Sequence, residues 1–246
     1  MEIFNIPISR LTTEELLDTI VRYSLDEKKR IIDYANVNSL NLAYVDHEIK
    51  KFLCKTDTVF VDGYGVLLGG KLLGYDISKN IRATCPDFLE EMVRRISDKG
   101  LKIYLLAGKP GVARKAEIKL KDKFKNVKIK SHHGYFNKSG EENNQVINDI
   151  NSFKPDLLFI GFGMPIQENW VNENMDRIDT NLFLIMGACL DFYTGSVMRG
   201  PKFLTDNGFE WLSRLFIEPK RLWRRYFIGN TLFFIRVLKE KANMKI

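Results

Sequence analysis

At 246 residues, with 45% apolar and 28% charged residues, the chain is long enough for one large folded domain or one domain plus a small appendage, and too apolar to be disordered. The net charge is +7, and the whole excess sits at one end: residues 196–246 hold 11 Lys/Arg against 4 Asp/Glu, whereas residues 1–195 hold 27 of each sign. Three separated cysteines, Cys54, Cys85 and Cys189, with no CxxC or Cys/His cluster, argue against a disulfide framework or a zinc site and fit a reducing cytoplasm.

Met1–Arg10 carries no basic stretch leading into an apolar one, so no signal peptide is expected. Along the chain, short apolar runs predict strands over 31–37, 58–61, 102–107, 127–130, 156–160 and 182–186. Amphipathic stretches between them predict helices over 39–54, 86–99, 112–124, 141–153 and 167–175; Leu89, Met92, Val93 and Ile96 show the spacing. This alternation implies an α/β, Rossmann-like, mostly parallel sheet with helices on both faces. The apolar run ending at Leu190 is far short of the roughly 20 residues that span a bilayer, so a membrane would be met from its surface. After Gly195 the pattern changes to basic, aromatic helices broken at Pro219, with stripes at Trp211, Leu212, Leu215, Phe216 and at Leu222, Trp223, Tyr226, Phe227. Residues 1–195 therefore read as a core and 196–246 as an appendage packed on it.

In an open parallel sheet, ligands sit beyond the carboxyl ends of the strands. The residues there are Asn36-Val37-Asn38, Asp62-Gly63-Tyr64-Gly65, Gly108-Lys109-Pro110-Gly111, Gly161-Phe162-Gly163-Met164-Pro165 and Gly187-Ala188. Glycine admits a ligand to the backbone and helix N-termini offer free N–H groups, a combination that fits a phosphate-bearing ligand. Neither GxGxxG nor GxxxxGK[ST] occurs. Asp62 at a strand tip could take a proton from an attacking hydroxyl, although an aspartate before glycine more commonly caps a turn or helix. Asp191 after the last strand is either a cap or a ligand-facing group. His132 and His133 lack a third partner at ligand spacing, and no Asp-x-Asp is present to hold a divalent ion. Without a metal, a departing diphosphate needs arginines or backbone amides, and Arg214, Arg221, Arg224 and Arg225 of the tail are the candidates. The same cations and aromatics would equally fit an anionic lipid surface.

From about Ala35 to Asn230 the chain resembles the WecG/TagA/CpsF family, glycosyltransferase family 26. The resemblance is carried by Asp62-Gly-Tyr-Gly65, Leu105-Leu-Ala-Gly-Lys-Pro-Gly111, Gly161-Phe-Gly-Met-Pro-Ile-Gln-Glu168, Phe209-Glu-Trp-Leu-Ser-Arg-Leu215 and Glu218-Pro-Lys-Arg-Leu-Trp-Arg-Arg-Tyr226. It implies a metal-independent, inverting, cofactor-free transfer from a UDP-sugar to a polyprenyl-diphosphate-linked sugar, N-acetylmannosamine onto N-acetylglucosamine being the best-known case in the family. The enzyme would be cytoplasmic, peripheral on the inner face of the cell membrane, a possible homo-oligomer, and would not bind nucleic acid. Residues 1–195 would hold the nucleotide sugar, and 196–246 would touch the membrane and complete the site. Asp62 falls on the family's proposed base and Asn36 on its Thr. Asn38, Arg82, Gly108, Gly111, Gly163, Gln167, Asp191, Arg214, Arg221 and Arg224 are the expected substrate contacts. Asn36-Val37 replaces Thr-Pro, Cys85 replaces a Gly and Gly200 replaces an Ala. Three rivals are transfer of glucose, galactose or a uronic acid, an NAD-dependent oxidoreductase, and a nucleic-acid-binding protein.

Overall fold

The computed structural model describes residues 1–206, 208 and 210–244, without the side chains of Lys79, Lys202, Asp206 and Arg221. Two short strands, β1 (Glu2–Ile3) and β2 (Ile6–Pro7), form an N-terminal hairpin. The main sheet has six parallel strands: β3 (Arg30–Ala35), β4 (Thr58–Val61), β5 (Lys102–Ala107), β6 (Lys128–His132), β7 (Leu157–Gly161) and β8 (Leu182–Ile185), in the order β4-β3-β8-β7-β5-β6. All residues of β4, β7 and β8 are buried, which is why each reads as an unbroken apolar run.

Helices α1 (Thr13–Ser24), α2 (Val37–Val45), α3 (His47–Lys55), α4 (Tyr64–Leu72), α5 (Cys85–Asp98), α6 (Val112–Lys123), α7 (Gly140–Phe153) and α8 (Ile166–Asn174) link and cover the strands. The single helix expected over 39–54 is two, because Asp46 accepts the Glu48 and Ile49 amides and starts α3 afresh. The hairpin, α1 and α4 lie outside the predicted elements. For α1 the signal was present: Thr12 and Glu15 form a reciprocal capping box.

Beyond β8 come α9 (Cys189–Tyr193), α10 (Lys202–Asp206), α11 (Glu210–Ile217), α12 (Pro219–Trp223), a π-helical turn (Arg224–Ile228) and α13 (Gly229–Asn243). Pro219 opens α12, as its missing N–H and fixed φ favour. The tail is fastened to the core at several points. Phe233 is fully buried and meets α4 at Gly69, where a Cβ would stand 2.7 Å from its ring; burying such a ring contributes about 1.5–3 kcal/mol. Asn41 of α2 donates to the Gly229 carbonyl (2.7 Å) and accepts from Arg236 (2.7 Å), and Glu240 accepts the Phe4 amide at 3.0 Å. The cysteines require a correction. Cys85 and Cys189, 104 residues apart, are bridged, because the first turns of α5 and α9 meet with Cα atoms 5.7 Å apart. Sequence spacing carries no information about such an encounter between remote helix ends.

Candidate active site

The carboxyl ends of β4, β3, β8 and β7 open into a cleft with two chambers that share Asn36, Asn38, Asp62, Glu210, Arg214 and Arg225. The first chamber runs over the β8 and β7 tips, past Met164, Gly187, Cys189 and Phe192. The second lies between the Gly63–Gly65 turn and the tail, and is walled by Leu68, Trp211, Tyr226 and Phe234, with Arg82 at its edge.

Asp62 stands on the wall between the chambers. Its amide donates to the Ala35 carbonyl (2.8 Å), continuing the β3–β4 register one step past the strand, so its position is fixed by the sheet. It is not a cap: α4 opens at Gly63 with no side-chain cap hydrogen bond. Instead, Asn36 Nδ2 donates to Asp62 Oδ2 at 3.3 Å. The other end of the same carboxamide caps α2, Oδ1 accepting from the Asn38 and Ser39 amides at 3.0 Å each. Burial pushes Asp62 up to about 6; the charge of Glu210 adds to this, and the Asn36 hydrogen bond with Arg214 and Arg82 opposes it. A carboxyl tuned towards neutrality is suited to accept a proton from a hydroxyl.

The cations come from three directions. Arg82 stacks on Tyr64 (4.7 Å to the ring centre) and donates to Thr84 Oγ1 at 3.1 Å. Arg214 lies over Phe192 (5.0 Å), and its buried Nε has no hydrogen-bond partner among the described residues. Arg225 lines both chambers. Arg224 is exposed beside Trp223 and lines neither. The helical face explains the difference: Arg225 follows the buried Leu222 by three residues and shares its inward side, while Arg224 projects from the opposite one. The Arg221 side chain lies outside the described residues.

Asn38 and Gly163 line the cleft. Gln167 is fully buried beneath it: Oε1 accepts the Gly163 amide (3.1 Å), and Nε2 donates to Tyr34 Oη (3.2 Å) and Glu168 Oε1 (2.8 Å). It holds the floor and does not line either chamber. Gly108 and Gly111, on the turn after β5, line neither chamber; Gly108 is needed where a Cβ would stand 2.7 Å from Val112. Asp191 lies inside the first turn of α9 and also lines neither chamber. Among the cleft residues that escaped the sequence reading are Tyr34, which lies within β3 one step before the tip, and Glu210, which was seen only as part of a tail signature. Among the described residues no group of three or more His, Cys, Asp or Glu side chains could hold a metal ion.

Below the cleft, burial pushes Glu168 up to about 7, and burial followed by the Glu168 charge pushes Asp33 well above the usual carboxylate range. Asp33 Oδ2 and Glu168 Oε2 are buried without hydrogen-bond partners among the described residues. The folded protein thus holds protons that the unfolded chain releases, so this pair's contribution to stability is full at low pH and is lost as pH rises towards about 7. Glu168→Gln is expected to gain thermal stability relative to the parent as pH goes from about 5 to about 8. Melting curves that stay parallel across that range would rule this out.

A model of the glycosyl transferase WecG/TagA/CpsF family matches residues 1–246. The chain is also similar to the N-acetylglucosaminyldiphosphoundecaprenol N-acetyl-beta-D-mannosaminyltransferases of Staphylococcus aureus strains NCTC 8325 / PS 47, COL and MSSA476. Identity to each is 23% over 247 residues, covering 100% of this chain and 94% of the relative.

Proposed function

Because the chain belongs to the glycosyltransferase WecG/TagA/CpsF family, we propose that it moves a sugar from a UDP-sugar to a polyprenyl-diphosphate-linked N-acetylglucosamine. The transfer is a single, inverting displacement that uses no metal, and N-acetylmannosamine, named in the S. aureus relatives, is the first sugar to test. The observation that carries this reading is the position of Asp62 between two chambers that share Arg214 and Arg225.

The first chamber takes the nucleotide sugar and the second, with its apolar wall, the acceptor. Asp62 accepts the proton of the acceptor hydroxyl as the oxygen bonds to the anomeric carbon. The bond from that carbon to the diphosphate breaks, and UDP leaves with the electron pair. Arg214 and Arg225 meet the charge that gathers there, inside a cleft where such contacts are stronger than in water. Among the described residues no helix is long and apolar enough to cross a membrane. The tail carries exposed Phe216, Trp223, Phe227, Ile228, Leu232 and Ile235 beside its cations, which supports lying on an anionic lipid surface where the acceptor is anchored.

The test is to incubate the purified full chain with a panel of UDP-sugars and a soluble lipid-diphosphate N-acetylglucosamine analogue, with and without a chelator. UDP release that needs both substrates and survives the chelator is expected. Turnover with UDP-glucose, UDP-galactose or a UDP-uronic acid alone would reassign the donor. Consumption of no UDP-sugar would end the proposal.

A further inference from the structure

The cleft draws three arginines around one carboxylate. Arg82, Arg214 and Arg225 all face the region of Asp62, and its other neighbours Asn36 and Tyr34 are neutral. Cations gathered to hold a diphosphate also stabilise an ionised aspartate, and so weaken it as a base. Among the described residues, the opposing charge on the cleft wall is Glu210, which lines both chambers and comes from the first turn of α11.

Glu210 is held by an arrangement that joins the core to the tail. Arg199, on the segment entering the tail, binds Asp87 of α5 through both terminal nitrogens and reaches Glu210 Oε2 with Nη2 at 3.9 Å. The next residue, Gly200, lies against α11 so closely that a Cβ there would stand 2.1 Å from Ser213 Oγ. That hydroxyl donates to the Glu210 carbonyl at 2.9 Å. Gly208 completes the seating, since a Cβ on it would stand 2.8 Å from the Tyr64 ring, and its φ of +87° favours glycine. Glu210 is thus held on the cleft wall it shares with Asp62 by a docked tail element and would leave with it.

We propose that Glu210 is a positioning residue that, together with burial, sustains the basicity of Asp62 against the surrounding arginines, so that seating of the tail delivers both the diphosphate cations and a charge that supports the base. This deepens the reading of Asp62 as the base and rests on it. The direction in which Glu210 moves the Asp62 proton equilibrium, upwards, agrees.

The experiment is a carbon-13 carboxyl NMR titration of the full chain labelled at aspartate, with the Asp62 signal assigned by its loss in Asp62→Asn. Glu210→Gln is expected to lower the proton affinity of Asp62 about threefold or more, with Glu210→Asp in between. The acid limb of kcat/KM should move to lower pH with it, whereas loss of a merely structural contact would lower the rate and leave the midpoint in place. An unchanged or raised Asp62 midpoint in folded Glu210→Gln overturns the proposal; should that variant not fold, an unchanged or raised midpoint in Glu210→Ala does so. Because the titration needs no substrate, it can fail while Asp62 remains the base. Conversely, Asp62→Asn with undiminished turnover would remove the base reading whatever the titration gives.

Discussion

Asp62→Asn is expected to lower the rate of sugar transfer about 10²–10⁴-fold, the range that a positioned general base contributes, while UDP binding stays close to that of the parent. The substitution keeps the shape of the side chain and its place at the β4 tip, which is set by the amide bond to Ala35. It removes the proton acceptor alone. Since Asp62 is pushed up to about 6, the parent rate should also fall as pH drops below about 6 and the carboxylate is protonated. Steady-state rates and UDP calorimetry on the same preparation measure both halves. Turnover within a few-fold of the parent would take Asp62 out of the role, and lost UDP binding would show a damaged cleft instead.

Arg214→Ala is expected to lower kcat about 10²–10³-fold, the cost of removing one group aimed at developing negative charge. Its Nε is buried with no hydrogen-bond partner among the described residues, and the side chain is stacked over Phe192, so the cation is held where an anion would complete it. Arg224, exposed beside Trp223, provides the comparison: with a soluble acceptor, Arg224→Ala should turn over near the parent rate. Equal losses in the two variants would mean that tail charge as a whole, and not its aim into the cleft, sets the rate.

How much of this was legible depends on the range of the interactions involved. Strands β4 and β5 were readable to the residue because burial on both faces leaves an unbroken apolar run between polar turns. Asp62 could be placed at a strand tip for the same reason. Its freedom from capping could not, since that turns on Asn36 being hydrogen-bonded to it from 26 residues away. The tail arginines were recognisable as a group, but choosing among them needs the inward face of the helix, which buried Leu222 and Tyr226 define. Gln167 and the turn glycines Gly108 and Gly111 belong to motifs at strand ends, and motif membership does not separate a residue that lines a cleft from one that shapes its floor. The Cys85–Cys189 bridge and the approach of Glu210 to Asp62 are encounters between segments more than 100 residues apart, for which local pattern has no signature.

The carboxamide of Asn36 serves two masters, its oxygen starting α2 and its nitrogen steadying Asp62. Hydrolytic ageing of that amide to a carboxylate would leave the helix start intact, because aspartate caps as well as asparagine. It would also set two acids 3.3 Å apart in the cleft, where they would share a proton, so the fold would persist while the proton affinity of the base shifted.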